Sequence, residues 1–296
     1  IKVGIVGVGR FGSRHLEKWL NMDSIEFIGF NDIDPDVCNN IEKQYDCTSY
    51  DLDVLIDKID ILDIVVPGDS HFDIAMKALN AGKHVFVEKP FSETPPEAKK
   101  LADTASKKGL KIGIGHIERF NPVYQLLNKS LDEIPQTLMA FRQGPFIPGV
   151  GLGVSIILEL MIHDIDIARQ LIPYPITNIQ ATGEILHSDK IDRATAILSF
   201  ENGSEAVLFS SRAEDERRRE ILCETSSNIY KANLMERKFQ VSGHKEQLLA
   251  PYDAMNDELK AFVEAVKLNR DHIVNQQDGV SSIEIAKKIE DIILKK

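Results

Sequence analysis

Residues 2–32 read KVGIVGVGRFGSRHLEKWLNMDSIEFIGFND, and this stretch decides the fold of the first part of the chain. Lys2–Val6 is a short apolar run that predicts a strand. Gly7-Val8-Gly9-Arg10-Phe11-Gly12 follows as a GxGxxG loop and opens a helix over Gly12–Asn21. A second strand, Glu26–Asn31, ends at Asp32, 20 residues after Gly12. In this order the three glycines have separate tasks: a tight turn, close approach of backbone to a pyrophosphate, and close packing of helix on strand. The helix N-terminus offers N–H groups and the positive end of its dipole to an anion.

Asp32 stands where a carboxylate accepts hydrogen bonds from an adenosine ribose. It would repel a 2′-phosphate, and the next residues, Ile33 and Asp34, supply no cation. The sequence therefore predicts NAD rather than NADP. The competing reading of the loop is a glycine turn with no ligand.

Outward from this stretch the alternation continues to about residue 120. Asp34-Pro35 opens a helix that runs to about Tyr45. Ile61–Val66 is a strand stopped by Pro67, and His71–Ala81 is an amphipathic helix stopped by Gly82. His84–Val87 is a strand, Pro95–Lys108 a helix ended by Gly109, and Lys111–Gly115 a strand. Strands joined by helices form a parallel sheet with right-handed crossovers, a doubly wound α/β Rossmann domain over residues 1–120.

After that the pattern is α+β. Helices are predicted at Val123–Ser130 and Ser155–Leu171. Strands follow at Ile176–Leu186, Ala194–Phe200, Glu205–Ser211, Arg219–Thr225 and Asn228–Asn233, with Asn202-Gly203 as a hairpin turn. Helices Asn256–Leu268 and Ser281–Leu294 close the chain. Residues 121–296 are therefore expected to form a second domain on a large, mainly antiparallel sheet, for substrate binding and oligomerisation.

The chain has 296 residues, room for about two domains of ~150 each. Hydrophobic residues make up 43% and charged residues 27%, which excludes a collagen-like or disordered chain. A net charge of −11 repels phosphate backbones and anionic lipid, so neither nucleic acid nor membrane is expected as a partner. No apolar run reaches the ~18 residues of a membrane span, and the first residues lack the marks of a signal peptide. Cys38, Cys47 and Cys223 have no metal-type spacing and read as reduced thiols of a cytoplasmic protein.

His84–Pro90 reads HVFVEKP and follows VVPGDSHFDIAMKALNAGK. This segment resembles the Gfo/Idh/MocA oxidoreductases, in which a Glu-Lys-Pro motif follows a strand of the dinucleotide domain. GHIERFNP (Gly115–Pro122), LELMIHDIDIAR (Leu158–Arg169) and FENGSEAVLFSSR (Phe200–Arg212) resemble more narrowly the UDP-N-acetylglucosamine 3-dehydrogenase branch of that family. The resemblance implies an NAD-dependent oxidation of a secondary sugar hydroxyl. Lys89 matches the family lysine that contacts the substrate hydroxyl near the nicotinamide, and Lys89-Pro90 is commonly cis in the family. His163 matches the histidine that takes the hydroxyl proton and contacts substrate. Glu159, four residues earlier, would orient the imidazole or bind substrate; the family more often has Asp there. Gly68-Asp69 replaces the usual Thr or Asn after the proline. Glu88, Pro67 and His71 are carried over as neighbours of the cofactor.

Arginine forks suit a diphosphate, so Arg119, Asn121 and Arg142 are expected at the substrate. Each candidate has a plainer reading. Lys89 could be a solvated loop residue. His163 with Glu159, Asp164 and Asp166 could be a buried polar network or a metal cluster, although the resemblance implies no metal. The run Glu214–Glu220 reads as a solvated turn, and the other histidines, His15 included, as ordinary residues. Alternatives for function are a dehydrogenase of a free sugar or inositol, or a non-catalytic dinucleotide sensor on the same fold. One face of the antiparallel sheet is expected to pair between subunits, giving a homo-oligomer, a dimer or tetramer.

Overall fold

A computed structural model of the chain describes residues 1–149, 151 and 153–295. It divides into two compact units, Ile1–His116 with Met255–Ile283, and Ile117–Ala254 with Glu284–Lys296.

The first unit is built on five parallel strands: β1 (Lys2–Val6), β2 (Glu26–Asn31), β3 (Ile61–Ile64), β4 (His84–Val87) and β5 (Ile112–Ile114). Their spatial order is β2-β1-β3-β4-β5. The order reverses between β1 and β3, so the loops leaving their C-terminal ends flank the switch point where open α/β sheets bind ligands. Helices α1 (Gly12–Leu20), α2 (Pro35–Tyr45), α3 (Leu52–Lys58), α4 (His71–Asn80) and α5 (Pro95–Lys108) make the crossovers.

Their ends follow from local chemistry. Asp34 accepts from the Asp36 and Val37 amides ahead of Pro35 in α2. Thr94 and Glu97 form a capping box at α5, which stops at Gly109 in the left-handed region, φ 66°. Helix α3 is absent from the sequence reading: at seven residues it is shorter than the runs that periodicity resolves. Strand β3 is buried along its length, Asp63 included.

The second unit carries α6 (Pro122–Ser130), β6 (Thr137–Gln143), α7 (Ile162–Leu171), β7 (Ile176–Glu184), β8 (Arg193–Phe200), β9 (Glu205–Ser211), β10 (Arg218–Glu224), β11 (Ile229–Asn233), β12 (Lys238–Val241) and β13 (Gln247–Leu248). The eight strands run in the order β13-β12-β11-β10-β6-β9-β8-β7. All neighbours are antiparallel except β6 and β9, which pair in parallel. Strand β6 was not predicted. Its residues, TLMAFRQ, lack the β-branched enrichment that marks a strand, and packing fixes it at the sheet's centre. Gly203, φ 87°, makes the β8–β9 turn as expected.

The predicted helix over Ser155–Leu171 is two structures in succession. Ile157–Met161 is π-helical and α7 continues from it. Helices α8 (Ala254–Lys267) and α9 (Gln276–Leu294) end the chain. The expectation of a single domain from residue 121 onward differs here, because Met255–Ile283 belongs to the first unit. There Phe262 packs 5.6 Å from Phe86 of β4, and Val274 accepts the Ile114 amide of β5. No helix among the described residues is long and apolar enough to cross a membrane.

Candidate active site

The glycine loop leaves β1 in a shape only glycine permits. Gly7 has φ +85°, and a Cβ there would overlap the Val65 carbonyl; a Cβ on Gly12 would overlap the Gly7 carbonyl. Gly9 differs. A Cβ there meets nothing within 4 Å, so its backbone borders open space, as the close approach of a pyrophosphate requires. Helix α1 has no side-chain cap at Phe11 and no acidic residue in its first turn; its Ser13 and Arg14 amides bond the Gly9 and Phe11 carbonyls, and the positive end of its dipole is left for an anionic ligand.

Asp32 accepts the Val8 amide at 2.8 Å and the Asp34 amide at 3.0 Å. It thereby ties the end of β2 to the loop. Arg10 is exposed and Phe11 is 41% exposed. These residues fit an NAD pyrophosphate and ribose in shape and in charge.

Beside the loop, Pro67 leads into the short turn Gly68–Ser70, which abuts Pro90: a Cβ on Gly68 would lie 3.1 Å from the Pro90 Cγ. The Lys89–Pro90 peptide is cis. His71 is buried, with Nδ1 2.7 Å from the Pro90 carbonyl and Nε2 2.9 Å from the Val66 carbonyl. Burial pushes this imidazole below its ordinary value, against the pull of the two carbonyls. It therefore joins the loop after β3 to the Lys89–Pro90 turn. Glu88 is buried and accepts the Lys89 amide.

In the second unit, α7 is buried on nearly every side although it carries His163, Asp164 and Asp166. Buried charges require partners. Asp166 receives a fork from Arg119, Nε at 2.7 Å and Nη2 at 2.5 Å. Asp164 receives Nε and Nη2 of Arg142 at 2.8–3.1 Å, and Arg142 Nη1 reaches Glu118 at 2.7 Å. Burial lifts the Asp164 carboxyl above its ordinary value in spite of the fork. Burial would lift Glu118 too, but Arg142 holds it below its ordinary value.

Asn121 caps α6 by accepting the Val123 amide at 3.0 Å and donates to Glu118 at 2.9 Å. Arg119, Asn121 and Arg142, expected at a substrate diphosphate, are thus engaged inside the protein, and an anion at either arginine would have to displace a buried carboxylate. Glu159, in the π-turn, pairs with Arg212 Nη1 at 2.9 Å, and Arg212 Nε lies 3.0 Å from Asp192. His163 itself is 8% exposed.

Two groups escaped the sequence reading. Arg219, read as the start of a strand and as part of a solvated charged run, is half-buried on β10 directly across from Arg142, and donates to the Gln143 and Arg218 carbonyls. Burial, with the like charge of Arg142, pushes it down to about 10. His15, read as an ordinary residue, is fully buried between carboxylates. The signal for both lies in tertiary contacts.

A glycine cradle of this form, at the switch point of a parallel sheet, defines a dinucleotide-binding protein. Residues 1–116 match the oxidoreductase family with an NAD-binding Rossmann fold, and residues 146–248 match the GFO/IDH/MocA C-terminal domain. The chain is 33% identical over 213 residues to the UDP-N-acetylglucosamine 3-dehydrogenase of Acidithiobacillus ferrooxidans, covering 72% of this chain and 67% of that one. A solved structure of that enzyme superposes with a TM-score of 0.93 at 28% identity, over 99% of this chain and 97% of the other. The scyllo-inositol 2-dehydrogenase (NAD(+)) of Bacillus subtilis is 24% identical over 96% of this chain and 92% of its own. The chain belongs to the Gfo/Idh/MocA oxidoreductase family, and its first unit is an NAD-binding Rossmann domain.

Proposed function

We propose that the chain is an NAD-dependent dehydrogenase that oxidises the 3-hydroxyl of a UDP-linked amino sugar. The observation that carries this reading is the likeness to the A. ferrooxidans enzyme, which extends over 99% of this chain at 28% identity. NAD, when bound, supplies the hydride acceptor. Gly7, Gly9, Gly12 and the N-terminal end of α1 would hold its pyrophosphate, and Asp32 its adenosine ribose. His163 takes the proton released from the sugar hydroxyl. The Lys89 ammonium stabilises the negative charge that grows on the same oxygen. Glu159, held by Arg212, contacts substrate or fixes the imidazole. Arg219 is the better candidate for the anionic part of the substrate, since Arg119 and Arg142 are engaged by Asp166, Asp164 and Glu118.

That engagement also favours a second reading, a dehydrogenase of an uncharged polyol such as inositol. A panel of nucleotide sugars and free polyols with NAD, followed at the nicotinamide absorbance, separates the two. Turnover of UDP-N-acetylglucosamine is the expected result; turnover of inositols or free sugars alone would replace the first reading by the second.

The sheet of the second unit supports a homo-oligomer. Leu222, Met139, Val207 and Ile197 form one cross-strand row, and Phe141 and Phe209 fall in the next, all half-buried on the face away from the buried Ala140 and Leu208. A second copy of the chain, as a dimer or a pair of dimers, would cover these rows. The three cysteines are free, which agrees with a reducing, cytoplasmic setting.

A further inference from the structure

Behind the glycine loop the first unit buries a chain of ionisable groups that the proposed reaction does not use. His15 on α1 hydrogen-bonds through Nδ1 to Asp63 Oδ2 on β3, 2.9 Å away, and its Nε2 lies at ion-pair distance, 3.4 Å, from Glu88 Oε1 just past β4. Asp63 Oδ2 also accepts the Trp19 indole N–H at 2.7 Å. Glu88 Oε2 accepts the Lys89 backbone amide at 3.2 Å. Gly115, beyond β5, completes the enclosure, because a Cβ there would overlap the Glu88 carboxylate. The rings of Phe11 and Phe86 flank His15 at 5.3 and 6.2 Å.

A neutral imidazole donates from one nitrogen only, whereas an imidazolium donates from both and meets both carboxylates. Burial by itself would lower His15, but Asp63 and then Glu88 raise it to about 10. Burial would likewise raise Glu88, yet His15 and Lys89 hold it below its ordinary value. A ring with a carboxyl group on either side is a setting that suits the doubly protonated imidazole. Well-packed apolar residues commonly stabilise a core as well as such charges do. What apolar residues could not do is join α1, whose N-terminus faces the pyrophosphate cradle, to the backbone of Lys89.

We propose that His15 is a positioning residue for Lys89: through Glu88 it fixes the lysine's backbone to α1, so that the cofactor cradle and the ammonium form one rigid piece. The proposal rests on the reading of Lys89 as the lysine at the reacting hydroxyl. It also has an electrostatic side. The His15 charge offsets the Glu88 charge that Lys89 feels; among the described residues Asp63 on β3 also faces the imidazole, and His71 feels both Glu88 and Lys89.

The test uses His15→Gln and Glu88→Gln in the full chain, with three readouts. Equilibrium NADH binding, followed by fluorescence, should stay within about threefold of wild type in His15→Gln, while kcat falls by about tenfold or more in both variants. The alkaline inflection of the pH–rate profile should rise in His15→Gln, where Glu88 is uncompensated, and fall in Glu88→Gln. Backbone hydrogen exchange should accelerate at Lys89 by about tenfold or more in His15→Gln, but not at Val85 in the middle of β4. NADH affinity and kcat that fall together in His15→Gln, inflections that move the same way, or an unchanged Lys89 amide would overturn the proposal.

Two further observations are independent of turnover. In the wild-type chain the His15 ring nitrogens, followed by NMR, should stay doubly protonated past pH 9; titration near the ordinary value of about 6.5 would refute the bridge. If wild type oxidises no sugar, the role of Lys89 is what has failed, and the exchange and titration data still decide whether His15 holds that backbone in place.

Discussion

Replacing Arg142 by leucine removes the cation that Asp164 and Glu118 share, and leaves both carboxylates enclosed. Arg142 and Asp164 are 3% and 2% exposed, and the guanidinium makes four contacts of 2.7–3.1 Å with the two acids. Breaking a buried pair from one side costs about 3–5 kcal/mol. For a unit of this size that corresponds to a fall of ~6–20 °C in melting temperature. The loss should depend on pH. Without the fork, burial alone acts on Asp164 and raises its folded value above its unfolded one, the direction already seen in the wild-type chain. A carboxyl raised in this way contributes stability at low pH and loses it as pH rises, so the deficit relative to wild type should widen between pH 5 and 8. Thermal melts at the two pH values measure both effects. A midpoint within ~2 °C of wild type at pH 8, or a deficit that shrinks as pH rises, would refute the structural account of Arg142. A large rise in KM for a diphosphate substrate at unchanged stability would restore the arginine to the substrate.

Gly12→Ala sets a Cβ against the Gly7 carbonyl, and should cost about 1–3 kcal/mol and abolish detectable NADH binding by calorimetry. Asp32→Asn can still accept the Val8 amide but no longer repels a 2′-phosphate; kcat/KM with NAD should drop about tenfold while discrimination against NADP narrows, as steady-state kinetics with both cofactors would report. Stability should fall at both ends of the pH range. His15, raised from 6.5 to about 10, contributes fully below about pH 6.5 and loses its contribution as pH rises through about 10. Asp192, lowered from 3.8 to about 2 by amide donors at Leu186, His187 and Ser188 despite its burial, contributes about 2 kcal/mol above pH 4 that is lost as pH falls toward 2; Asp192→Asn should remove that acid limb in denaturant melts. Phe141→Glu with Phe209→Glu places charge on the apolar rows of the open sheet face and should yield a monomer by light scattering; a wild-type monomer would count against the homo-oligomer.

The first unit was legible because its signals are local. The glycine loop, the Asp34-Pro35 opening, and the stops at Gly82 and Gly109 each act within a few residues, and strand and helix boundaries follow from them. Helix α3 is too short to establish a period, and β6 is a strand because β9 and β10 flank it, not because its residues prefer that state. The loop and Lys89 were readable as motifs. The company they keep was not: His15 meets Asp63 across 48 positions and Arg119 meets Asp166 across 47, separations over which one sequence carries no pairing signal. The arginines were assigned outward-facing work by charge alone, whereas the acids on α7 already claimed them.

The widened turn at Ile157–Met161 acts as a spacer one residue long. Deleting a single residue there would restore ordinary helical pitch, and taking out Leu160 or Met161 would leave Glu159 three positions ahead of His163 instead of four. The sequence from 151 to 162 holds no acid besides Glu159, so a shortened variant would keep the carboxylate yet shift it relative to both the imidazole and Arg212.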